Sequence, residues 1–223
     1  MLSIVIPTLN AAHQIEATLE RLTGNNIDCE IVVADGGSKD GTAELVSRLG
    51  VRVVKAPRGR GSQLSAGAAQ STGNWLLFLH ADTRPGPGWA TVVKRFMADP
   101  HNRFRAAYFA FTLDDSSAQA RRLEKMVDWR CRKLGLPYGD QGFLISHDFY
   151  DRLGGYKTIP LMEDVEMVNR IKNHRLEQLP VSALTSAEKF RRDGYVLRSV
   201  KNLFCLALFL LGVPPVYIVP LYR

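Results

Sequence analysis

A chain of 223 residues with 46% hydrophobic positions can bury a full core, and it carries no repeat or low-complexity tract of the kind that marks a solenoid or a disordered tail. Its formal charge of +7 suits a polyanion, an anionic membrane or a phosphorylated ligand; the basic clusters at 55–60, 121–133 and 189–192 lack the regular aromatic interleaving of a single-strand platform, so no nucleic-acid partner is expected. Cys29, Cys131 and Cys205 lie far apart without a CxxC pair, which argues against a disulfide framework or a zinc site.

The opening Met1-Leu-Ser-Ile-Val-Ile-Pro7 has no basic stretch or cleavage site, so no signal peptide is expected and the location reads as cytoplasmic. Residues 2–6 predict a strand. Helical spacing of Ile15, Leu19 and Leu22 predicts a helix over 12–22, followed by a strand at 30–34, a helix at 43–49 and a strand at 51–54. A small-residue helix over 63–70 leads into a fully buried strand at 74–79, which ends on His80-Ala81-Asp82. This alternation is that of βαβ units and a mostly parallel sheet.

After Pro85-Gly-Pro-Gly88 the pattern gives a helix at 89–97, a strand at 107–113 and a long basic helix at 118–134. The glycine-rich 138–142 precedes a strand from Phe143, a helix over 148–153 closed by Gly154-Gly155, and a helix over 163–172 with Val165, Val168 and Ile171 on one face. From Leu203 the chain is almost wholly apolar, but Pro214-Pro215 interrupts it after eleven positions, short of the roughly 20 needed to span a bilayer. Packing on the domain or on a second copy is one reading of 196–221; a peripheral membrane contact flanked by Arg198 and Lys201 is the other. The whole reads as one domain, with a nucleotide-binding half over 1–100, an acceptor half over 101–195 and a hydrophobic segment over 196–223.

Ligands of open parallel sheets bind beyond the carboxyl ends of the strands, where Pro7, Asp35 and Asp82 all fall. Asp35, in Asp35-Gly-Gly-Ser-Lys-Asp-Gly-Thr42, can accept hydrogen bonds from a nucleobase or ribose, or the segment is only a βα loop with Ser38 or Asp40 as a helix cap. Asp82 ends the most hydrophobic strand, where a carboxylate needs water, a partner or a cation; this suggests a divalent metal beside a diphosphate, the alternative being a cap for the helix after Pro85. Arg58 and Arg60 among glycines before a helix make a phosphate environment, although the P-loop spacing is absent. Glu163, Asp164 and Glu166 supply a candidate general base, or simply favour a helix start.

Taken in order, Ser3-Ile-Val-Ile-Pro7-Thr8-Leu-Asn10, Ala34-Asp35-Gly36-Gly-Ser38-x-Asp40-Gly-Thr42, Leu79-His80-Ala81-Asp82 and Met162-Glu163-Asp164 resemble the signature series of family 2 glycosyltransferases over residues 1–195. The resemblance implies the GT-A fold, an α/β architecture with a mostly parallel central sheet flanked by helices. It also implies inverting transfer, hexosyl in kind, from a UDP- or GDP-sugar to an acceptor hydroxyl. Pro7, Thr8, Asn10, Asp35, Gly36, Arg60, Gln63, Ala81 and Asp82 then belong to the donor site. Asp82 matches the last position of the DxD motif and implies Mn2+ or Mg2+; Asp164, with Glu163 beside it, matches the catalytic base.

By the same resemblance Asp140 and Gln141 face the acceptor, and Arg191 and Arg192 close over the diphosphate. Two positions depart from the family: His80 stands for the first Asp of DxD, and Ser65 for an asparagine of the third helix. The combination with Gly59-Arg-Gly-x-Gln63 and Gly139-Asp-Gln-Gly142 is similar, more narrowly, to a small bacterial subfamily linked to arsenosugar biosynthesis. The rival readings are a nucleotidyltransferase of related fold, which needs a glycine-rich basic loop after the first strand, and a non-catalytic nucleotide-sugar-binding protein.

Overall fold

The apolar run at the N-terminus forms β1 (Leu2–Thr8), and the next two runs form β2 (Cys29–Asp35) and β3 (Arg52–Lys55). The computed structural model, which describes residues 1–222, joins these strands through α1 (Ala12–Leu22) and α2 (Thr42–Arg48) as parallel neighbours. The chain then returns through α3 (Arg60–Ala69) to lay β4 (Trp75–Phe78) on the opposite side of β1, again parallel. Because successive crossovers leave β1 in opposite directions, a crevice opens beyond the carboxyl ends of β1 and β4.

The second half adds β5 (Thr83–Pro85), α4 (Trp89–Ala98), β6 (Ala106–Leu113), α5 (Ala118–Leu134), β7 (Phe143–Ser146) and α6 (His147–Arg152). It ends with α7 (Glu163–Asn169), β8 (Leu176–Thr185), α8 (Glu188–Asp193), α9 (Tyr195–Leu210) and α10 (Pro215–Tyr222). One sheet results, in the order β3-β2-β1-β4-β7-β6-β8-β5. It is mixed: β7 runs antiparallel to β4 and β6, while β6 and β8 are parallel. Phe78 lies opposite Phe143, so the segment leaving β4 and the segment entering β7 share one edge.

Period-two alternation divides the core. Leu2, Ile4 and Ile6 face Ile15 and Leu19 of α1 and Trp89 and Phe96 of α4, whereas Val5 faces Leu64 of α3, Phe149 of α6 and Met167 of α7. Helix α5 starts where the Ser117 hydroxyl accepts the Ala120 N–H, and stops at Gly135, whose φ of 63° continues a left-handed cap.

Two differences from the sequence reading, in α7 and β8, have physical causes. Helix α7 ends at Asn169 rather than 172, and its apolar residues diverge: Val165 packs under the C-terminal helices, Val168 and Ile171 under the sheet. Strand β8 is unexpected in Leu176-Glu-Gln-Leu-Pro-Val-Ser-Ala-Leu-Thr; its exposed Pro180 sits at a register shift, where β6 Phe109 pairs with Leu179 but Ala110 with Ser182, so the missing N–H leaves no gap in the ladder. The apolar C-terminal segment forms α9 and α10, which pack through Cys205, Leu206 and Ile218 on Leu136, Leu161 and Val165. Among the described residues no helix is long and apolar enough to cross a membrane.

Candidate active site

Two loops leave the carboxyl ends of β1 and β2 laced together. The Asn10 N–H donates to the Ser38 hydroxyl at 2.9 Å, its side-chain oxygen accepts from the Lys39 N–H at 2.8 Å, and Asp40 accepts from the N–H groups of Ala12 and Thr42. Asp35 is the knot. One of its oxygens accepts from the Thr8 and Ser38 hydroxyls at 3.0 and 2.5 Å, and the other from the N–H groups of Gly37 and Ser38. Burial pushes this carboxyl up, but the bonds from Ser38, Thr8 and Gly37 outweigh it and hold the group below its usual range. Gln63 fixes the same region from α3, donating its amide N–H groups to the carbonyls of Thr8 and Ala34. A Cβ on Gly36 would stand 3.0 Å from that amide, so glycine there lets the side chain pass.

Beyond this edge lie two adjoining cavities that share Arg60, His80, Asp82, Leu161, Lys189 and Tyr222. The larger, about 720 Å³, runs past Pro7, Thr8, Asn10, Arg58, Gln63, Ala81 and Arg192. The smaller, about 110 Å³, is walled by Tyr138, Asp140, Asp164, Arg198 and Asn202. The two non-glycine residues with left-handed backbone among those described, Asn10 (φ 53°) and Met162 (φ 62°), line one cavity each. Each such conformation costs about 1 kcal/mol, and strain of this kind collects where a side chain must be aimed.

The acids of the 163–166 run part company. Glu163 is 1% exposed and pairs with Arg60 at 3.2 Å; burial raises its pKa, Arg60 opposes and Asp164 adds to the rise. Glu166 turns to Lys157 and Arg170, so it holds the chain end of α7 rather than the cavity. Asp164 remains on the cavity wall, one oxygen accepting the Gly139 N–H at 2.8 Å and the other the Val165 N–H at 2.8 Å. Across from it, one oxygen of Asp140 is buried without a partner. Burial drives that carboxyl up to about 6; Arg130 opposes, and the nearby charges of Asp164 and Asp82 reinforce the shift.

His80 is likewise perturbed: burial, then the cations Arg60 and Lys189, hold its imidazole well below its usual pKa, so it is neutral. It closes against Gly139, where a Cβ would stand 2.5 Å from its Nε2. Among the described residues no three His, Cys, Asp or Glu side chains converge as a self-sufficient metal cage. A small hard cation needs none when substrate phosphates and water complete its shell, and Asp82, with the unsatisfied Asp140 oxygen in the same cavity system, suits such an ion.

Residues 3–143 match the description "Glycosyl transferase family 2". The chain belongs to that family. A PGL/p-HBAD biosynthesis glycosyltransferase of Mycobacterium bovis is 38% identical over 90 residues, which are 37% of this chain and 35% of that protein. Chondroitin synthase of Escherichia coli is 34% identical over 111 residues, 45% of this chain and 16% of that protein. The family 2 chain thus spans about a third or less of the length of these curated relatives.

Among solved structures, a mannosyltransferase of Pyrobaculum calidifontis in complex with GDP-Man and Mn2+ superposes with a TM-score of 0.62 at 19% identity, covering 83% of this chain and 56% of that one. TarS of S. aureus gives 0.67 at 16% identity, over 93% and 39%. These likenesses establish the GT-A fold expected from the motifs.

Of the residues expected at this family 2 site, Pro7, Thr8, Asn10, Arg60, Gln63, Ala81, Asp82, Asp140, Glu163, Asp164 and Arg192 all line the paired cavities. Asp35 and Gly36 stand behind the wall. Gln141 is fully committed inside, accepting from Arg130, Cys131 and the Tyr138 N–H and donating to the Phe109 carbonyl, so it shapes the 138–142 loop instead of facing an acceptor. Arg191 turns away to Asp114 at 3.2 Å. Sequence reasoning missed Tyr138, Lys189, Arg198, Asn202 and Tyr222; the signal available was Arg198 and Asn202, four positions apart in a largely apolar helix and so on one face of it.

Proposed function

We propose that the chain moves a sugar, with inversion, from a nucleotide-diphosphate sugar to an acceptor hydroxyl. The observation that carries this reading is the convergence of Asp82, Asp140, Asp164 and Arg60, from four separate segments, on one cavity. The larger cavity, edged by Pro7, Asn10 and Gln63, takes the nucleoside, and Asp35 behind it holds the Thr8 and Ser38 loops in place. Arg60, with Lys189, Arg58 and Arg192 along the same wall, takes the diphosphate.

Asp164 receives the acceptor proton as the hydroxyl oxygen bonds to the anomeric carbon and the bond to the diphosphate breaks. Its two backbone donors fix the direction of the receiving lone pair. Asp140, which lines the same cavity, hydrogen-bonds an acceptor hydroxyl. Mn2+ or Mg2+ held by Asp82 would supply neutralisation of the leaving diphosphate. A nucleotidyltransferase is less apt, since the cations come from α3 and α8 and not from a basic loop after β1.

The narrower arsenosugar likeness has no echo in the names of the relatives above, and the sugar is left to experiment. The test is a thermal-shift panel of UDP- and GDP-sugars with and without Mn2+, repeated on Asp82→Ala. Stabilisation by one donor, dependent on cation in the parent and independent of it in the variant, is expected. No shift with any donor and cation defeats the assignment.

A further inference from the structure

Fifteen large apolar side chains are exposed among the described residues; ten lie between Val196 and Leu221 on α9, α10 and their connection, and three more, Met126, Trp129 and Leu134, on α5. These helices adjoin. The Tyr195 hydroxyl at the start of α9 donates to Asp115 just before α5 at 2.8 Å, and Leu136 just beyond α5 packs on Cys205 and Leu206. Their inner sides give Arg198, Asn202 and Tyr222 to the cavity, so the apolar side chains form the reverse of its wall.

Charge on this face is mainly positive; on α5 the half-exposed Asp128, at the flank, is taken up by Arg132 at 2.9 Å. No Asp or Glu occurs from Tyr195 to Tyr222. On α5, Arg122, Met126, Trp129 and Lys133 recur at helical spacing on one exposed face, flanked by exposed Lys125 and Arg132. Apolar and aromatic side chains among cations, with no span long enough to cross, is the composition of a helix lying in a headgroup layer.

We propose that the outer face of α5, α9 and α10 docks on an anionic lipid bilayer. A second copy of the chain fits less well, because self-association through this face would bring the α5 cations of two +7 chains together. An anionic leaflet neutralises them while it takes up Leu203, Phe204 and Trp129. Docking sets the cavity wall against the lipid surface, within reach of an acceptor hydroxyl carried there.

The test is co-sedimentation of the full chain with phosphatidylcholine vesicles, with and without phosphatidylglycerol, at low and high salt and with no nucleotide, so that it stands apart from the donor assignment. Trp129 is a built-in reporter, since Trp89 is buried and Trp75 packed against Phe96. Binding to phosphatidylglycerol vesicles with a blue shift of Trp129 emission, lost in high salt, is expected. Leu203→Glu/Phe204→Glu should abolish it, and Arg122→Glu/Lys125→Glu should weaken it about tenfold or more.

The second pair alters only exposed positions and keeps the test usable if the first misfolds. No vesicle-dependent shift, or binding indifferent to both pairs, overturns the proposal. So does a dimer in sedimentation velocity that the first pair dissociates while vesicles have no effect; that result gives the face to a second copy.

Discussion

Arg60 and Glu163 meet at 3.2 Å across 103 positions of sequence, tying the first turn of α3 to the first turn of α7. Glu163 is almost fully buried and its second oxygen has no partner, so the pair positions the guanidinium in the cavity, beside the Asp164 proposed as the base.

Glu163→Gln should therefore cost stability before it costs chemistry. Relief of the buried Glu163 carboxylate favours the variant, but the Arg60 guanidinium left without its ion partner outweighs it, so stability is expected to fall by about 2 kcal/mol, or roughly 4–8 °C in Tm. In turnover assays the donor KM should rise more than kcat falls. An unchanged Tm with kcat reduced a hundredfold or so would hand the base role to Glu163.

For Asp164→Asn the opposite split is expected. The amide oxygen can still accept the Gly139 N–H, so donor affinity should stay within about twofold, while kcat falls by about 10²–10⁴. Titration with donor alongside single-turnover transfer separates the two effects.

Asp140 carries a pH signature. Its folded-state pKa of about 6 lies above the ordinary 3.8, so the folded protein binds the proton more tightly. The associated stability is fully present below about pH 4 and is lost as pH rises to about 6. Asp140→Asn should flatten that slope and raise Tm at pH 7.5 by roughly 2–6 °C. Thermal denaturation from pH 4 to 8 measures both, and a variant that keeps the wild-type slope would show another group to be responsible.

Gln63→Ala would strip the carbonyls of Thr8 and Ala34 of their shared donor at the ends of β1 and β2. The Thr8 carbonyl keeps the Gly36 N–H, so a loss of about 1–2 kcal/mol is expected from the two bonds removed. The donor Kd should weaken with it, since the same loops edge the larger cavity; chemical denaturation and nucleotide titration read the two quantities.

Apart from β5, whose three residues are too few to show a period, the order of elements from β1 to β7 was legible in the sequence because hydrophobic period and turn residues agree there, and α1 and α5 fall on their expected bounds. Strand β8 was not, since Pro180 and the polar Glu177 and Gln178 break the alternation that a partner strand then tolerates. At the site, motif order located the acids but not their allegiance. Whether Glu163 pairs with Arg60 or Gln141 with Arg130 depends on where separate helices lie, whereas Glu166 with Arg170 is a local i,i+4 pair. The cavity residues of α9 and α10 were hidden for a related reason: in a segment so apolar, the few polar side chains are meaningful only once the buried side is known.

The antiparallel pairing of Phe78 with Phe143 works as a fixed gauge between two chemistries. Asp82 and Asp140 belong to different halves of the chain, yet their spacing is set by how many residues separate each from that rung. Sliding β7 by one residue would carry its side of the cavity along the sheet by about 3.4 Å and turn Leu144 and Ile145 to the wrong faces. Insertions between α5 and Tyr138 can remodel what the cavity admits while the rung preserves alignment, so on the proposed reading this connection is where new acceptor preferences can arise without retuning the donor side.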